Sequence, residues 1–217
     1  MKKLMYLGFL SAIVLGGCKQ AVPPTVVYSK SQKDAIVDNI LTRRAVRKYK
    51  DKQVSKEQID TIMKCAIFAP SALNKQPWEI RVVRKPEILQ EINNRFLKYA
   101  EGKDMKGSAA HYKEPGFSVF HGAPTLVVIA RDKKNDYSMM DCGSAMQNIL
   151  LSAHALGLGT CPIGSLVPVF NLPENKDVLE LLNIPKDYAV AISLALGYAD
   201  QQPTAPQRYP DRVKIIE

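Results

Sequence analysis

The sequence predicts an α+β fold of three layers, in which a central, mixed but mainly antiparallel sheet is flanked by helices. Segments with a helical repeat alternate with short β-branched runs, and the helical segments carry more of the chain. Residues 137–156 form a long helical segment that is apolar nearly all round. Such a helix belongs in the centre of a core or at a large subunit interface. With no internal repeat, the 217 residues suit one domain.

The first eighteen residues have the features of an export signal. Lys2 and Lys3 precede an apolar run that is shorter than the roughly 20 residues of a membrane-spanning helix. Two glycines and Cys18 end this run, and that ending resembles the lipobox of bacterial lipoproteins, whose cysteine thiol is lipidated. An ordinary secretory signal with a chance cysteine is the alternative. We expect a lipoprotein-type signal over residues 1–18 and a membrane-anchored protein on the periplasmic or extracellular side of the cell envelope.

The first half of the folded part, residues 32–217, opens on helices. Residues 19–31 contain Pro23 and Pro24 and predict a tether between the anchor and this domain. A first helix is expected over residues 33–42, with an apolar stripe. A second helix begins at Ser55, where the spacing of Ser and Gln is that of a capping box, and Pro70 ends it.

The second half alternates strands and helices. Residues 98–118 show no sustained period, which predicts a surface excursion that could serve as a lid. Glycines 157 and 159 end the long apolar helix. The remaining expected elements are strands at 78–83, 125–130, 160–164 and 188–196, a helix opening at Pro86, a short helix at 173–182, and a polar tail from residue 200.

Charge and cysteine usage exclude several functions. The formal net charge of +9 falls to +7 when the two signal-peptide lysines are subtracted. A basic chain can bind nucleic acid, but no helix-turn-helix, zinc finger or aromatic-basic pattern is present, so we expect no nucleic-acid partner. The cysteines at 65, 142 and 161 lack C-x-x-C spacing, and the three histidines are scattered. This pattern predicts no structural metal.

Arginines cluster where the first helix ends. Arg43, Arg44 and Arg47 lie within five residues, and guanidinium groups bind phosphate oxygens in bidentate fashion. A basic helix C-terminus, favoured by the helix dipole, is the alternative. Arg208 stands in the polar tail, where a solvated side chain is the ordinary interpretation.

Two further segments carry polar or glycine-rich patterns. Residues 69–78 hold two prolines with Ser71, Asn74 and Gln76 between them, polar groups that suit the edge of a heteroaromatic ring. A loop that satisfies its own turns is the alternative. Residues 157–164 contain three glycines, which allow backbone N–H groups to approach a ligand closely.

Together and in order, these segments resemble the nitroreductase family of flavin enzymes. The family pattern combines an Arg-Arg-Ser-x-Arg-like motif, Ala-Pro-Ser-x-x-Asn-x-Gln-Pro-Trp, an Ala-Pro strand start, a long helix ending in Gly-Leu-Gly, a Pro-Ile-Gly-like turn and a Gly-Tyr before a basic tail. The matching parts are residues 43–47, 69–78, 123–124, 141–159, 162–164, 197–198 and Arg208. One departure is Ala45, which stands where many members have Ser.

The resemblance implies an FMN phosphate site made of arginines. Arg43, Arg47 and Arg208 would hold the phosphate, and Arg44 and Ala45 would add main-chain contacts nearby. Loss of the serine hydroxyl at position 45 would weaken FMN binding by about one hydrogen bond, roughly 0.5–1.5 kcal/mol.

It also implies contacts to the flavin ring from two subunits. Asn74 and Gln76 would hydrogen-bond the ribityl chain or the pyrimidine edge. The other side of the ring would be lined by residues of the partner subunit's equivalent segment, here Pro70, Ser71 and Ala72. The turn that would cover the ring and offer a backbone N–H towards N5 consists of Pro162, Ile163 and Gly164. The family forms interlocked homodimers whose C-terminal tails wrap the neighbour.

The function implied is an FMN-dependent NAD(P)H oxidoreductase that reduces a small oxidant, such as a nitroaromatic or a quinone, by a ping-pong mechanism. FMN supplies the redox chemistry, and no side-chain acid, base or nucleophile is demanded. Flavin reduction, enone reduction, dehalogenation and flavin destruction are alternatives within the family. A lipid-anchored flavin carrier or sensor is an alternative of another class, because NAD(P)H is scarce outside the cytoplasm.

Overall fold

A computed structural model describes residues 29–217. The predicted signal peptide, its Cys18 and nearly all of the predicted tether therefore lie outside the described residues. Within the described part of the chain, no helix is both long and apolar enough to cross a bilayer.

Helices and strands alternate much as the sequence predicts. The helices are α1 (Lys30–Thr42), α2 (Lys56–Ile67), α3 (Pro86–Ala100), α4 (Ser138–Ala155), α5 (Leu166–Phe170) and α6 (Lys176–Leu181). The strands are β1 (Trp78–Val83), β2 (Thr125–Asp132), β3 (Gly159–Ile163) and β4 (Tyr188–Gly197).

The four strands form one sheet in the order β1-β2-β4-β3, and every neighbouring pair is antiparallel. Trp78 at the start of β1 pairs with Arg131, and Arg131 pairs with Ala189 in β4. At the other end of β4, Leu196 pairs with Thr160 in β3. The start of β1 and the start of β3 therefore lie at diagonally opposite corners of the sheet.

Helices cover both faces of this sheet. Side chains alternate between faces along a strand, and β2 is buried on both. Leu126 and Val128 pack with α3, α5 and the excursion in one cluster, while Val127 and Ile129 pack with α2 and α4 in another. The predicted α+β class with a helix–sheet–helix arrangement is confirmed.

Local signals explain where elements agree with expectation and where they differ. Ser29 and Gln32 form a capping box, so α1 begins at Lys30, three residues before the expected start. The expected capping box at Ser55 is present, and β1 has the predicted bounds. Helix α5 is an addition to the expected elements, because a single turn of helix has no period to detect.

The sheet and the excursion each differ from expectation in one respect. The expected parallel component amounts, within residues 29–217, to one isolated bridge between Ala45 and Thr160. The excursion packs onto the core through Met105, Ala109, Tyr112 and Phe117. The excursion contains turns and one short 3-10 helix, Gly107–His111, so the burial of these residues leaves no α-helical period in the sequence.

Candidate functional site

The arginine segment, residues 43–47, is attached to the outer edge of β3. The Val46 N–H donates to the Thr160 carbonyl at 2.9 Å, and Ala45 forms the parallel bridge with Thr160. Farther along, Lys50 N–H donates to the Tyr198 carbonyl at 2.9 Å, just beyond the end of β4. These bonds fix the backbone from which the arginine side chains project.

Gly159 permits this close attachment. A Cβ at this position would lie 2.8 Å from Val46 Cγ2 and 2.9 Å from Val46 Cβ, far inside normal contact. The glycine of the Gly-Leu-Gly motif is therefore required for packing the arginine segment against β3. The sequence predicts that such glycines let backbone N–H groups approach a ligand. At Gly159 the structure shows a different role, because the missing side chain lets Val46 pack closely against β3.

Electrostatics shows that Arg43 lies among other cations. Burial lowers the pKa of the Arg43 guanidinium, and the charges of Arg44 and Arg208 lower it further. Burial raises the pKa of the Cys161 thiol in β3, while the charges of Arg47 and Arg43 oppose that shift. Four cationic side chains thus surround one region at the beginning of β3.

Within residues 29–217 these four arginines form no ion pair with a carboxylate. Arg44 instead donates to the carbonyls of Leu41 and Arg43 at 2.7 and 2.9 Å. Arg43 Nη1 is buried and has no hydrogen-bonding partner in this part of the chain. A buried unpaired cationic donor is costly, and a phosphate dianion would satisfy it. The donor set fits a phosphate group.

His121 adjoins the same region and was not foreseen from the sequence. Burial lowers the pKa of its imidazole, and the Arg47 charge lowers it further. Its backbone is left-handed, with φ 60°, and glycine follows it. A His-Gly pair in a turn is the only sequence signal that could have pointed to it.

The predicted turn of Pro162, Ile163 and Gly164 lies at the far end of β3. The Ile163 carbonyl accepts a hydrogen bond from Ser193 Oγ at 3.1 Å, and a Cβ on Gly164 would meet open space. Four residue steps along β3 separate Thr160 from Gly164, a distance of about 13 Å. One chain therefore places the arginine segment and this turn within the reach of one nucleotide-sized ligand.

The left-handed loop, residues 70–76, contains the other predicted ring contacts. Leu73, Asn74 and Gln76 have positive φ angles of 52°, 52° and 47°, unusual for residues other than glycine. The Gln76 N–H donates to Ser71 Oγ at 2.9 Å, and Gln76 Nε2 donates to Asn74 Oδ1 at 3.2 Å. The loop thus forms some of its own hydrogen bonds, as the alternative interpretation of the sequence expects. The side chains of Asn74 and Gln76 nevertheless stay exposed.

Helix α4 separates the left-handed loop from the arginine segment. At its start, Asp141 accepts from the Ala72 N–H, and near its end, His154 Nε2 shares a hydrogen bond with Thr42 Oγ1, next to Arg43. The 13 residue steps from 141 to 154 correspond to about 20 Å of helix. This is about 7 Å more than the distance from Thr160 to Gly164, so the left-handed loop lies farther from the arginine segment than the turn at residues 162–164 does. Within one chain, the two sets of predicted contacts do not converge.

The chain is thus an α+β protein with a cationic cluster that fits a phosphate group at one corner of its sheet and a polar loop at the diagonally opposite corner. Comparison with known proteins makes this class specific. The sequence matches the nitroreductase family over residues 40–198, and the chain belongs to that family.

Three similar proteins illustrate the relationship. A protein of Archaeoglobus fulgidus, whose name joins NADH dehydrogenase and NAD(P)H nitroreductase, is 35% identical over 183 residues, covering 80% of this chain and 93% of its own. The Bacillus subtilis protein named FMN reductase [NAD(P)H] is 27% identical over 186 residues, with 79% and 69% covered. The crystal structure of a Bacteroides fragilis nitroreductase with bound FMN has a TM-score of 0.77 at 27% identity, covering 84% of this chain and 98% of that one.

Proposed function

We propose that this protein is an FMN-dependent oxidoreductase that passes electrons from NAD(P)H to a small oxidant such as a nitroaromatic or a quinone. The observation that carries the proposal is the buried, unpartnered Nη1 of Arg43 among like charges, in a chain of the nitroreductase family. When bound, FMN supplies the redox chemistry. The chain's own residues bind and orient it.

Arg43, Arg47 and Arg208 would bind the phosphate, and the turn at residues 162–164 would cover the ring from the same chain. Reduced nicotinamide and oxidant would use one pocket in turn, because the sequence has no second nucleotide-binding fingerprint to hold both at once. Ping-pong kinetics follow from that sharing, with parallel double-reciprocal plots as the expected result. Intersecting plots would contradict it.

The functional unit is proposed to be a homodimer, because one chain separates the arginine segment from the left-handed loop. In a dimer, the loop of the partner subunit can complete the site. Within residues 29–217 of one chain, apolar residues on α1 and α4 and in the tail also lack cover: Ile36, Leu41, Met140 and Ile216 are 47%, 64%, 70% and 90% exposed. Among the described residues, β1 pairs on one side only, so its other edge can accept an additional strand.

An export signal and lipidation at Cys18 are proposed from the sequence alone, and they place the enzyme on the membrane in the cell envelope. Cys18→Ala should abolish partition into the detergent phase, while the folded domain keeps its flavin. Unchanged partition of this variant would exclude Cys18 as the lipid site.

Binding of FMN against riboflavin tests the phosphate assignment. Arg208→Ala should weaken FMN binding by about tenfold or more, since it removes a charge-assisted contact, and should leave riboflavin binding unchanged. Arg212→Ala is the matched control, because Arg212 lies in the same tail over the Tyr209 ring. Equal affinity of the wild-type protein for FMN and riboflavin would contradict the proposal.

Turnover separates an enzyme from a flavin carrier or sensor. Steady-state assays with NADH, NADPH and a reduced quinone as donors should reveal sustained reduction of a nitroaromatic or quinone acceptor. Tight FMN binding without turnover on any of these donors would favour the carrier, a function to which export gives weight because nicotinamides are scarce outside the cytoplasm.

A further inference from the structure

A single carboxyl group anchors the left-handed loop to α4. Asp141 lies in the first turn of α4, is 6% exposed, and accepts hydrogen bonds from the Ala72 N–H at 3.2 Å through Oδ1 and at 3.3 Å through Oδ2. Across residues 29–217 it forms no ion pair. Burying a carboxyl group without an ion pair is costly. The hydrogen bonds from the Ala72 N–H offset part of that cost, and they tie Asp141 to the loop.

The loop needs such an anchor because its backbone is unfavourable. Leu73, the residue after Ala72, has a φ of 52° and is 89% exposed in one chain, so packing within residues 29–217 of that chain does not hold it there. A left-handed backbone is unfavourable for residues other than glycine, and three of the seven loop residues are left-handed. At the far end of the loop, the Gln76 N–H donates to Ser71 Oγ.

We propose that Asp141 is a positioning residue that holds the left-handed loop in the conformation in which Asn74 and Gln76 meet the flavin ring. This inference rests on the proposed flavin function. In this proposal Asp141 does not contact the flavin. It holds the first part of the loop through the Ala72 N–H, and Ser71 holds the last part through the Gln76 N–H. Flavin binding then orders little additional backbone, which preserves affinity.

Asp141→Ala should weaken the binding of FMN and of riboflavin by the same factor, about tenfold, because the loop serves the ring that both ligands share. Asp136→Ala is the matched control, because it removes an exposed carboxyl group just before α4 that is not bonded to the loop. Asp141→Asn keeps an acceptor for the Ala72 N–H and should stay within about threefold of wild type.

Leu73→Gly provides the decisive second variant. Glycine adopts positive φ without strain, so a loop with glycine at position 73 depends less on its anchor. In the Asp141→Ala background it should recover most of the lost riboflavin affinity. A general defect of the α4 core would not respond to a change on an exposed loop.

Ala72→Pro removes the donor of the same hydrogen bond instead of its acceptor. This variant keeps the proposal testable if Asp141→Ala fails to fold. Proline removes the N–H donor, and Ser71 before it is already extended, at φ −141° and ψ 150°, as a residue before proline should be. Equal loss for both ligands is expected again.

Undiminished riboflavin affinity in Asp141→Ala would overturn the inference. So would a loss that is just as large in Asp141→Asn and that Leu73→Gly does not repair in the Asp141→Ala background. A wild-type protein that binds neither flavin would instead refute the proposed function, so the two failures are distinguishable.

Discussion

The arginine segment and the left-handed loop are built by opposite means. The arginine segment is attached to a strand edge by backbone hydrogen bonds, and its side chains carry unbalanced charge. The left-handed loop lies beyond the sheet, carries unfavourable backbone angles, and depends on two side-chain acceptors, Asp141 and Ser71. In the proposed site, phosphate selectivity would therefore come from charge placed on a rigid strand edge, whereas ring recognition would come from backbone conformation.

The largest effect should come from separating the two regions genetically. Arg43→Ala in one chain and Asn74→Ala with Gln76→Ala in another should each lower FMN affinity by about thirtyfold or more. If the regions complete one site across a dimer, mixing the unfolded chains and refolding them together should restore about a quarter of the sites, because half the dimers are mixed and each has one intact site.

Flavin titration of the refolded mixture measures this recovery. Co-refolding each variant with itself is the control. No recovery in a mixture that forms dimers would mean that each chain builds its own complete site, and the comparison between the two regions would fail.

Gly159→Ala should be the next largest change and should affect the arginine segment alone. The new methyl group would clash with Val46, so the segment must shift, at a cost of about 1–3 kcal/mol in the free energy of unfolding. FMN affinity should fall more than riboflavin affinity.

Chemical denaturation and binding titrations together check this expectation. Gly143→Ala is the matched control, since a Cβ there meets nothing within 4 Å and helical alanine is favoured over glycine by about 0.5–1 kcal/mol. An equal loss of both flavins in Gly159→Ala would show that the segment is not specific for phosphate.

Ala45→Ser should have a smaller effect of the opposite sign. Position 45 is partly buried and bridges to Thr160 on the edge of β3. A hydroxyl there should strengthen FMN binding by about 0.5–1.5 kcal/mol. Isothermal titration with FMN and riboflavin measures the gain. A gain for FMN alone would place the hydroxyl at the phosphate, an equal gain for both flavins would place it at the ribityl chain, and no gain for either would remove position 45 from the site.

The smallest effect concerns acid stability of the flavin-free protein. The pKa of His121 is lowered by burial and then by Arg47, so below about pH 6.5 the unfolded chain binds the proton first. Stability is therefore greater above that pH and decreases as pH falls. His154, with a pKa lowered by burial and then by Arg43 and Arg44, acts in the same direction.

His121→Gln should reduce the loss of stability between pH 7.5 and pH 5.5, as measured by urea unfolding at about these two pH values. His111→Gln, at an exposed position beside Glu114, is the control. An unchanged pH slope in His121→Gln would assign the acid sensitivity to other groups.

The sequence predicted the boundaries of helices and strands better than their arrangement in space. Ser55 and Pro86 mark the starts of α2 and α3 because capping and proline chemistry are local. The sequence could not place residues 43 and 72 at opposite ends of α4, because that depends on strand register. The left-handed angle at Leu73 also has no sequence signal, since no glycine marks it. Asp141 does leave a signal, because it is a lone carboxyl group in a largely apolar helix.

The buried, unpartnered Nη1 of Arg43 also affects how long a newly synthesised molecule escapes degradation. A cluster of like charges that awaits a counter-ion makes the empty protein easier to unfold, and unfolded molecules are degraded. A ligand present at about a hundredfold its Kd adds about 2.7 kcal/mol to the stability of the folded state. Flavin supply should therefore set the cellular amount of this protein, with empty chains removed by proteases and loaded ones retained.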